Sequence, residues 1–264
     1  MADGIIQSYK QSLNLLTHCH YSDRLIPIRC TGGIIMKIQF HGHACFSIIT
    51  DNGTHLLIDP FITGNSQAKI SADTLNPDVI LLTHGHWDHI GDTVSIASRT
   101  GCKVICCPEI KTYLTGKGLS NFHAMNIGGG FQFDFGYVKM TPALHSSAIE
   151  EDGQNIYLGN PAGFLMKIDG KTIYHAGDTG LSHEMTLLGN ANRIDVAILP
   201  IGGNFTMDIN DAMLAARALR AKLVVPMHYN TFPVIEQNAN FFSNQLLNYG
   251  VMCQVLNPED GFDM

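Results

Sequence analysis

Asp78-Val79-Ile80-Leu81-Leu82-Thr83-His84-Gly85-His86-Trp87-Asp88-His89 is the stretch on which the reading of this chain turns. Its first half is an apolar, β-branched run with the length and composition of a buried strand. Its second half is a glycine-containing loop that packs three imidazoles and one carboxylate into residues 84–89. Imidazole nitrogen and carboxylate oxygen are the usual ligands of divalent transition-metal ions, and a loop fixed to the end of a rigid strand can hold them at ligating distance. Neither packing nor helix capping requires all four groups in such a run.

Composition bounds the rest. A chain of 264 residues, 45% hydrophobic and 15% charged with 26 glycines, reads as a loop-rich globular protein with a sizeable core. No apolar stretch approaches the roughly 20 residues that span a bilayer, and the first residues lack the basic-then-apolar pattern of a secretory leader. The expectation is a soluble protein with no membrane association. Seven cysteines, an odd number, fall mostly in strand-like runs, which predicts free thiols and a cytoplasmic location. A net charge of -7 disfavours a broad nucleic-acid face.

Working outward from the histidine loop, residues 1–35 read as an N-terminal extension and residues 36–264 as the catalytic domain. His18-Cys19-His20 in the extension is a weak metal candidate with no strand to fix it. Strands are expected at 36–40, 44–50 and 55–59, then 102–107, 131–135, 137–143, 164–168, 172–175, 194–200, 223–227 and 251–256. Asp51-Asn52-Gly53-Thr54 and Asp169-Gly170 carry hairpin chemistry. Gly170-Lys171-Thr172 fits that hairpin better than a phosphate loop. Helices are expected at 93–100, closed by Gly101, at 210–220 and at 239–249. Two sheet-rich halves with attached helices suggest a layered α/β sandwich with internal duplication.

Three more ligand-type residues arrive by the same route. His145 follows the strand ending at Ala143, Asp178 follows the strand 172–175, and His228 follows the strand 223–227. Each stands just past the carboxyl end of an apolar strand, where sites assemble in layered α/β proteins.

These motifs, together with Phe40-His41-Gly42-His43-Ala44, Leu57-Ile58-Asp59-Pro60, Tyr174-His175-Ala176-Gly177-Asp178-Thr179 and Pro200-Ile201-Gly202-Gly203-Asn204-Phe205-Thr206-Met207, make the chain similar to the metallo-β-lactamase superfamily. Within it, the chain resembles the metal-dependent hydrolases related to ascorbate-6-phosphate lactonases. The resemblance covers residues 36–256. It implies an αββα four-layer sandwich of two similar halves, a homo-oligomer, and two divalent metal ions per chain, Zn²⁺ or Mn²⁺ foremost. It places His84, His86 and His145 on the first ion, Asp88, His89 and His228 on the second, and Asp178 between them. The presence of Asp88-His89 together with Asp178 departs from the antibiotic-hydrolysing members.

The chemistry expected of such a site is attack by a hydroxide generated between two metal ions on an ester, lactone or phosphodiester bond of a small molecule, phosphorylated or not. Asp88 and Asp178 are the catalytic carboxylates. Asp59 is either an acceptor for a ligand imidazole N–H or a strand-end cap. His43 and His175 are either hydrogen-bonding residues or proton donors to a leaving group. Asn204 and Thr206 are expected to line the pocket and Met207 to shape it, with Trp87 packed on its own loop. A phosphodiesterase or nuclease acting on RNA or single-stranded DNA is the nearer alternative, and a di-iron redox or sensing protein is the alternative of another class.

Overall fold

The computed structural model describes residues 35–264. The extension at 1–35, Ile35 apart, and the His18-Cys19-His20 motif lie outside the described residues. The first sheet is built from β1 (Lys37–Gly42), β2 (Cys45–Ile49), β3 (His55–Ile58), β4 (Val79–Leu81), β5 (Lys103–Cys106) and β6 (Phe122–Ala124). Helices α1 (Trp87–Ile90), α2 (Thr93–Thr100) and α3 (Pro108–Gly116) connect its later strands. The second sheet comprises β7 (Gly130–Phe133), β8 (Gly136–Pro142), β11 (Ala162–Ile168), β12 (Lys171–His175), β13 (Val196–Pro200), β14 (Leu223–Met227) and β15 (Met252–Cys253), while β9 (Ala148–Glu151) and β10 (Gln154–Tyr157) form a separate hairpin. Helices α4 (Glu184–Ala191), α5 (Ile209–Leu219) and α6 (Ala239–Asn248) belong to this half, and β16 (Gly261–Asp263) returns to pair with β1.

The sheets run β16-β1-β2-β3-β4-β5-β6 and β15-β14-β13-β12-β11-β8-β7. They face each other across one apolar core as an αββα sandwich. Phe46, Ile58 and Leu81 from one sheet and Phe164, Ile173 and Ile198 from the other are all fully buried in it. All five residues of β13 are buried, as a central strand covered on both faces requires. The Asp169-Gly170 turn forms as expected, both residues at positive φ, and the Asp169 carboxylate accepts from the Asp51 N–H of the β2–β3 hairpin. Asp208 and Asn238 start α5 and α6 by accepting from the N–H groups of Asp211 and Phe241, both at 2.9 Å.

Some expectations needed correction. The last strand spans only Met252–Cys253 rather than 251–256, because β15 pairs with β14 over two residues before the chain turns away. Helix α3 begins at Pro108, directly after the strand expected at 102–107; proline at a first helical position is tolerated because its missing N–H has no partner there. The β9–β10 hairpin and β6 were unmarked in the sequence, being short and largely polar or exposed. Among the described residues no helix is long and apolar enough to cross a membrane.

Candidate metal centre

The seven ligand-type residues singled out within the described residues stand at one edge of the sandwich. His84 and His86 lie in the loop after β4, Asp88 and His89 in the short α1 that follows, His145 after β8, Asp178 after β12 and His228 after β14. Their donor atoms gather into overlapping groups within 4.8 Å of one another: His84, His86 and His145; His84, His89 and Asp178; and Asp88, His89 and His228 together with His43. In the first group His86 Nδ1 is 2.9 Å from His84 Nε2 and 3.2 Å from His145 Nε2. In the centre, one Asp178 oxygen is 2.8 Å from His228 Nε2, 3.4 Å from His89 Nε2 and 3.5 Å from His145 Nε2.

A buried network aims these rings. Asp59, directly after β3, accepts from the Thr83 N–H at 2.8 Å and the Thr83 hydroxyl at 2.6 Å, and from His89 Nδ1 at 2.8 Å. Because the Thr83 proton goes to Asp59, Thr83 Oγ1 is left to accept from His84 Nδ1 at 3.0 Å. His84, and His89 in its neutral form, therefore carry their ring proton on Nδ1 and turn the Nε2 lone pair toward the cluster. Thr231 donates to His43 Nδ1 at 2.8 Å, which leaves the His43 Nε2–H for Asp88 at 3.2 Å. Burial, with His228 beside it, lowers the His43 pKa to about 4, so the ring is neutral and its single N–H serves Asp88.

Electrostatics fit a cationic guest. Burial lowers His84, His86 and His145, the last to about 4, so these rings present neutral lone pairs. Burial opposes ionisation of Asp178 and Asp88 as well, yet the imidazoles around Asp178, and the hydrogen bond from His43 to Asp88, hold both carboxyls well below their usual range. His89 is pushed up despite its burial because Asp178 and Asp59 flank it. His89 Nε2 and Asp178 Oδ1 are buried at the cluster without a hydrogen-bond partner, and an unpaired buried polar atom is costly. Converging lone pairs, ionised carboxylates and orphaned donor atoms together fit divalent cations.

The loop's backbone is equally constrained. A Cβ on Gly85 would stand 2.3 Å from Leu158 Cβ, and the Gly85 N–H donates to Ser147 Oγ at 3.0 Å. His43, Asp59 and His228 take positive φ values of 57°, 44° and 55°.

Above the cluster opens a cavity of about 510 Å³, floored by His86, Asp88, His145, Asp178 and His228 and walled by Trp87, Phe205, Phe232 and Val234. Three sequence expectations change here. Neither Asn204 nor Thr206 lines this cavity; Phe205 between them does, because Asn204 takes a positive φ of 51° and the turn presents the middle residue. Met207 is buried in the core. Trp87 is 56% exposed and forms the wall rather than lying on its own loop. His175 is fully buried, with Nε2 donating to Ala44 O at 3.1 Å and Nδ1 accepting from the Gly177 N–H at 3.2 Å. Both ring nitrogens are thus held by backbone, which removes His175 as a proton donor to a leaving group and makes it a tie between the two sheets. Phe205, Phe232 and Val234 escaped the sequence reading because isolated apolar loop residues carry no periodic signal.

Comparison with known proteins agrees with this geometry. A family model described as a beta-lactamase superfamily domain matches residues 37–228. A UPF0173 metal-dependent hydrolase of Geobacillus sp. (strain WCH70) is 54% identical over 230 residues, 87% of this chain and 100% of that protein. One from Listeria innocua is 51% identical over the same coverage. Among solved structures, the metallo hydrolase Igni18 of the archaeon Ignicoccus hospitalis is 39% identical and superposes with a TM-score of 0.79, over 88% of this chain and 100% of that one. The chain belongs to the metallo-β-lactamase superfamily and, within it, to the UPF0173 metal-dependent hydrolases.

Proposed function

We propose that residues 36–264 form a hydrolase domain that holds two divalent metal ions, Zn²⁺ or Mn²⁺, and cleaves an ester or lactone bond of a small molecule. The observation that carries this reading is the convergence of seven ligand-type side chains, with Asp178 at the centre and five of them at the floor of one open cavity. His84, His86 and His145 would hold one ion, Asp88, His89 and His228 the other, with Asp178 shared. When bound, two such ions act as Lewis acids and lower the pKa of a shared water so that hydroxide is available near neutral pH.

The chain's own residues do the rest. Asp59 and Thr83 fix the His84 and His89 tautomers. Asp88 lines the cavity with one oxygen held by His43, so its other oxygen would hold the second ion and orient the attacking water by accepting its hydrogen bond, and the water's proton leaves with the departing alkoxide. Water adds across the acyl–oxygen bond and yields acid and alcohol. The aromatic wall sheds bulk water from this exchange. The five free cysteines among the described residues support a reducing, cytoplasmic setting.

The test is elemental analysis of purified wild type and Asp178→Asn alongside turnover of p-nitrophenyl esters, lactones and bis(p-nitrophenyl) phosphate at defined metal loading. Two metals per chain, with ester or lactone turnover falling together with metal in the variant, is the expected result. One metal or none, with turnover indifferent to loading, would overturn the reading.

A further inference from the structure

The walls of the cavity differ from its floor. Trp87 opens α1, Phe205 comes from the loop after β13, and Phe232 and Val234 from the segment after β14, so three separate segments deliver apolar side chains to one mouth. Trp87, Phe205 and Val234 are 56%, 53% and 54% exposed. Large apolar groups clustered in the open beside a polar floor mark a binding surface more often than a solvated one.

The wall is also braced. Trp87 meets Phe61 edge to face at 5.2 Å and leans on Phe232 at 5.8 Å, and Phe232 stands against the His43 ring at 5.5 Å. Aromatic side chains fixed by such contacts have few rotamers left to lose when a ligand arrives. Among the described residues lining the cavity there is neither lysine nor arginine, the side chains that take up a phosphate or carboxylate group away from the reacting bond.

We infer that the substrate carries an uncharged apolar portion, an aryl group or a medium-length alkyl chain, seated against Trp87, Phe205, Phe232 and Val234 while its ester or lactone carbonyl lies over the floor. The inference rests on the hydrolase reading above and narrows it: neutral acyl esters and lactones are substrates, and phosphorylated ones are poor. It also assigns specificity to residues that hold no metal. Transfer of each methylene from water to such a wall raises kcat/KM by about two- to fourfold.

Two measurements test this on the metal-loaded full chain. In the first, kcat/KM is taken for p-nitrophenyl acetate, butyrate and hexanoate and for bis(p-nitrophenyl) phosphate. It should rise at least about tenfold from acetate to hexanoate. The hexanoate-to-acetate ratio should fall severalfold in Phe205→Ala and Val234→Ala, both surface positions, and recover in Phe205→Leu. A flat series, or a preference for the phosphodiester over hexanoate, overturns the inference.

The second measurement does not depend on turnover. Trp87 is the chain's one tryptophan, so its fluorescence reports on this wall. 4-Phenylbutanamide should shift its emission saturably in loaded and metal-free protein alike, and acetamide or inorganic phosphate should leave it unchanged in metal-free protein. No shift with the phenyl amide overturns the apolar wall even if esters are hydrolysed. A shift without metal-dependent turnover of any ester supports the wall and sinks the hydrolase reading instead.

Discussion

The two sheets of the sandwich are built to one plan and used in different ways. From one edge, β16-β1-β2-β3 pair antiparallel and β3-β4-β5-β6 parallel; in the other sheet β7-β8-β11-β12 pair antiparallel and β12-β13-β14-β15 parallel. Strand β4 thus corresponds to β13, and β5 to β14. The loop after β4 and the short α1 carry His84, His86, Asp88 and His89, whereas the loop after β13 carries Phe205 to the cavity wall. The residue after β14 is His228, whereas the residue after β5 is Cys107, buried with its thiol donating to the Leu158 carbonyl at 3.2 Å. Topology fixes where a site assembles, and loop sequence decides which half supplies the chemistry.

The largest expected effect removes the second sheet's central contribution. Asp178→Ala should lower kcat/KM on the best ester by about 1,000-fold or more, the scale set by the several kcal/mol that a metal-bound transition state gains. Elemental analysis should show the accompanying loss of metal. Unchanged metal and turnover would mean that the first sheet's loop suffices alone.

Next come the matched central strands. Leu81→Ala in β4 and Ile198→Ala in β13, both fully buried and equivalent in register, should each cost about 2–5 kcal/mol in urea unfolding. A cost below about 1 kcal/mol at one position only would break the equivalence of the sheets.

Asp59→Asn is milder. It keeps the volume but weakens the hold on His89 and Thr83, and metal affinity by competition titration should fall about 10- to 100-fold. An unchanged affinity would return Asp59 to the role of strand-end cap.

The smallest effect concerns the counterpart of His228. Burial pushes the Cys107 thiol up to about 11, against an ordinary value of about 8.5. The raised folded-state value stabilises the protein fully below about pH 8.5, and that contribution is lost as pH climbs toward 11. The decline in urea midpoint between pH 8 and pH 10.5 should therefore be shallower in Cys107→Ala than in wild type. At pH 8 the native Cys107 thiol should not react with a disulfide reagent; rapid labelling of Cys107 would show an open loop where the structure has a closed one.

The sequence disclosed the site better than its surroundings. His84 to His89 are contiguous, and His145, Asp178 and His228 each follow an apolar run, so local pattern located them. The hydrogen bonds of Asp59 were half legible, since strand-end position allowed either a cap or an acceptor, and only the fold brings His89 beside it. Phe205, Phe232 and Val234 were illegible because nothing local distinguishes an apolar loop residue that lines a cavity from one that covers a neighbour. His175 stayed open between two roles for a related reason: a histidine beside a ligand motif reads as either a hydrogen-bonding residue or a proton donor until the first sheet brings the Ala44 carbonyl to its ring.

His43, Asp59 and His228 all stand at positive φ, a region where a side chain with a Cβ is held at a cost of about 1–3 kcal/mol. Glycine or asparagine would rest there more easily. Heat tolerance and activity therefore pull in opposite directions at these three positions, and a laboratory evolution scheme that selects on melting temperature alone will be drawn to them first. Selection for turnover has to run alongside if the histidines and the aspartate are to survive it.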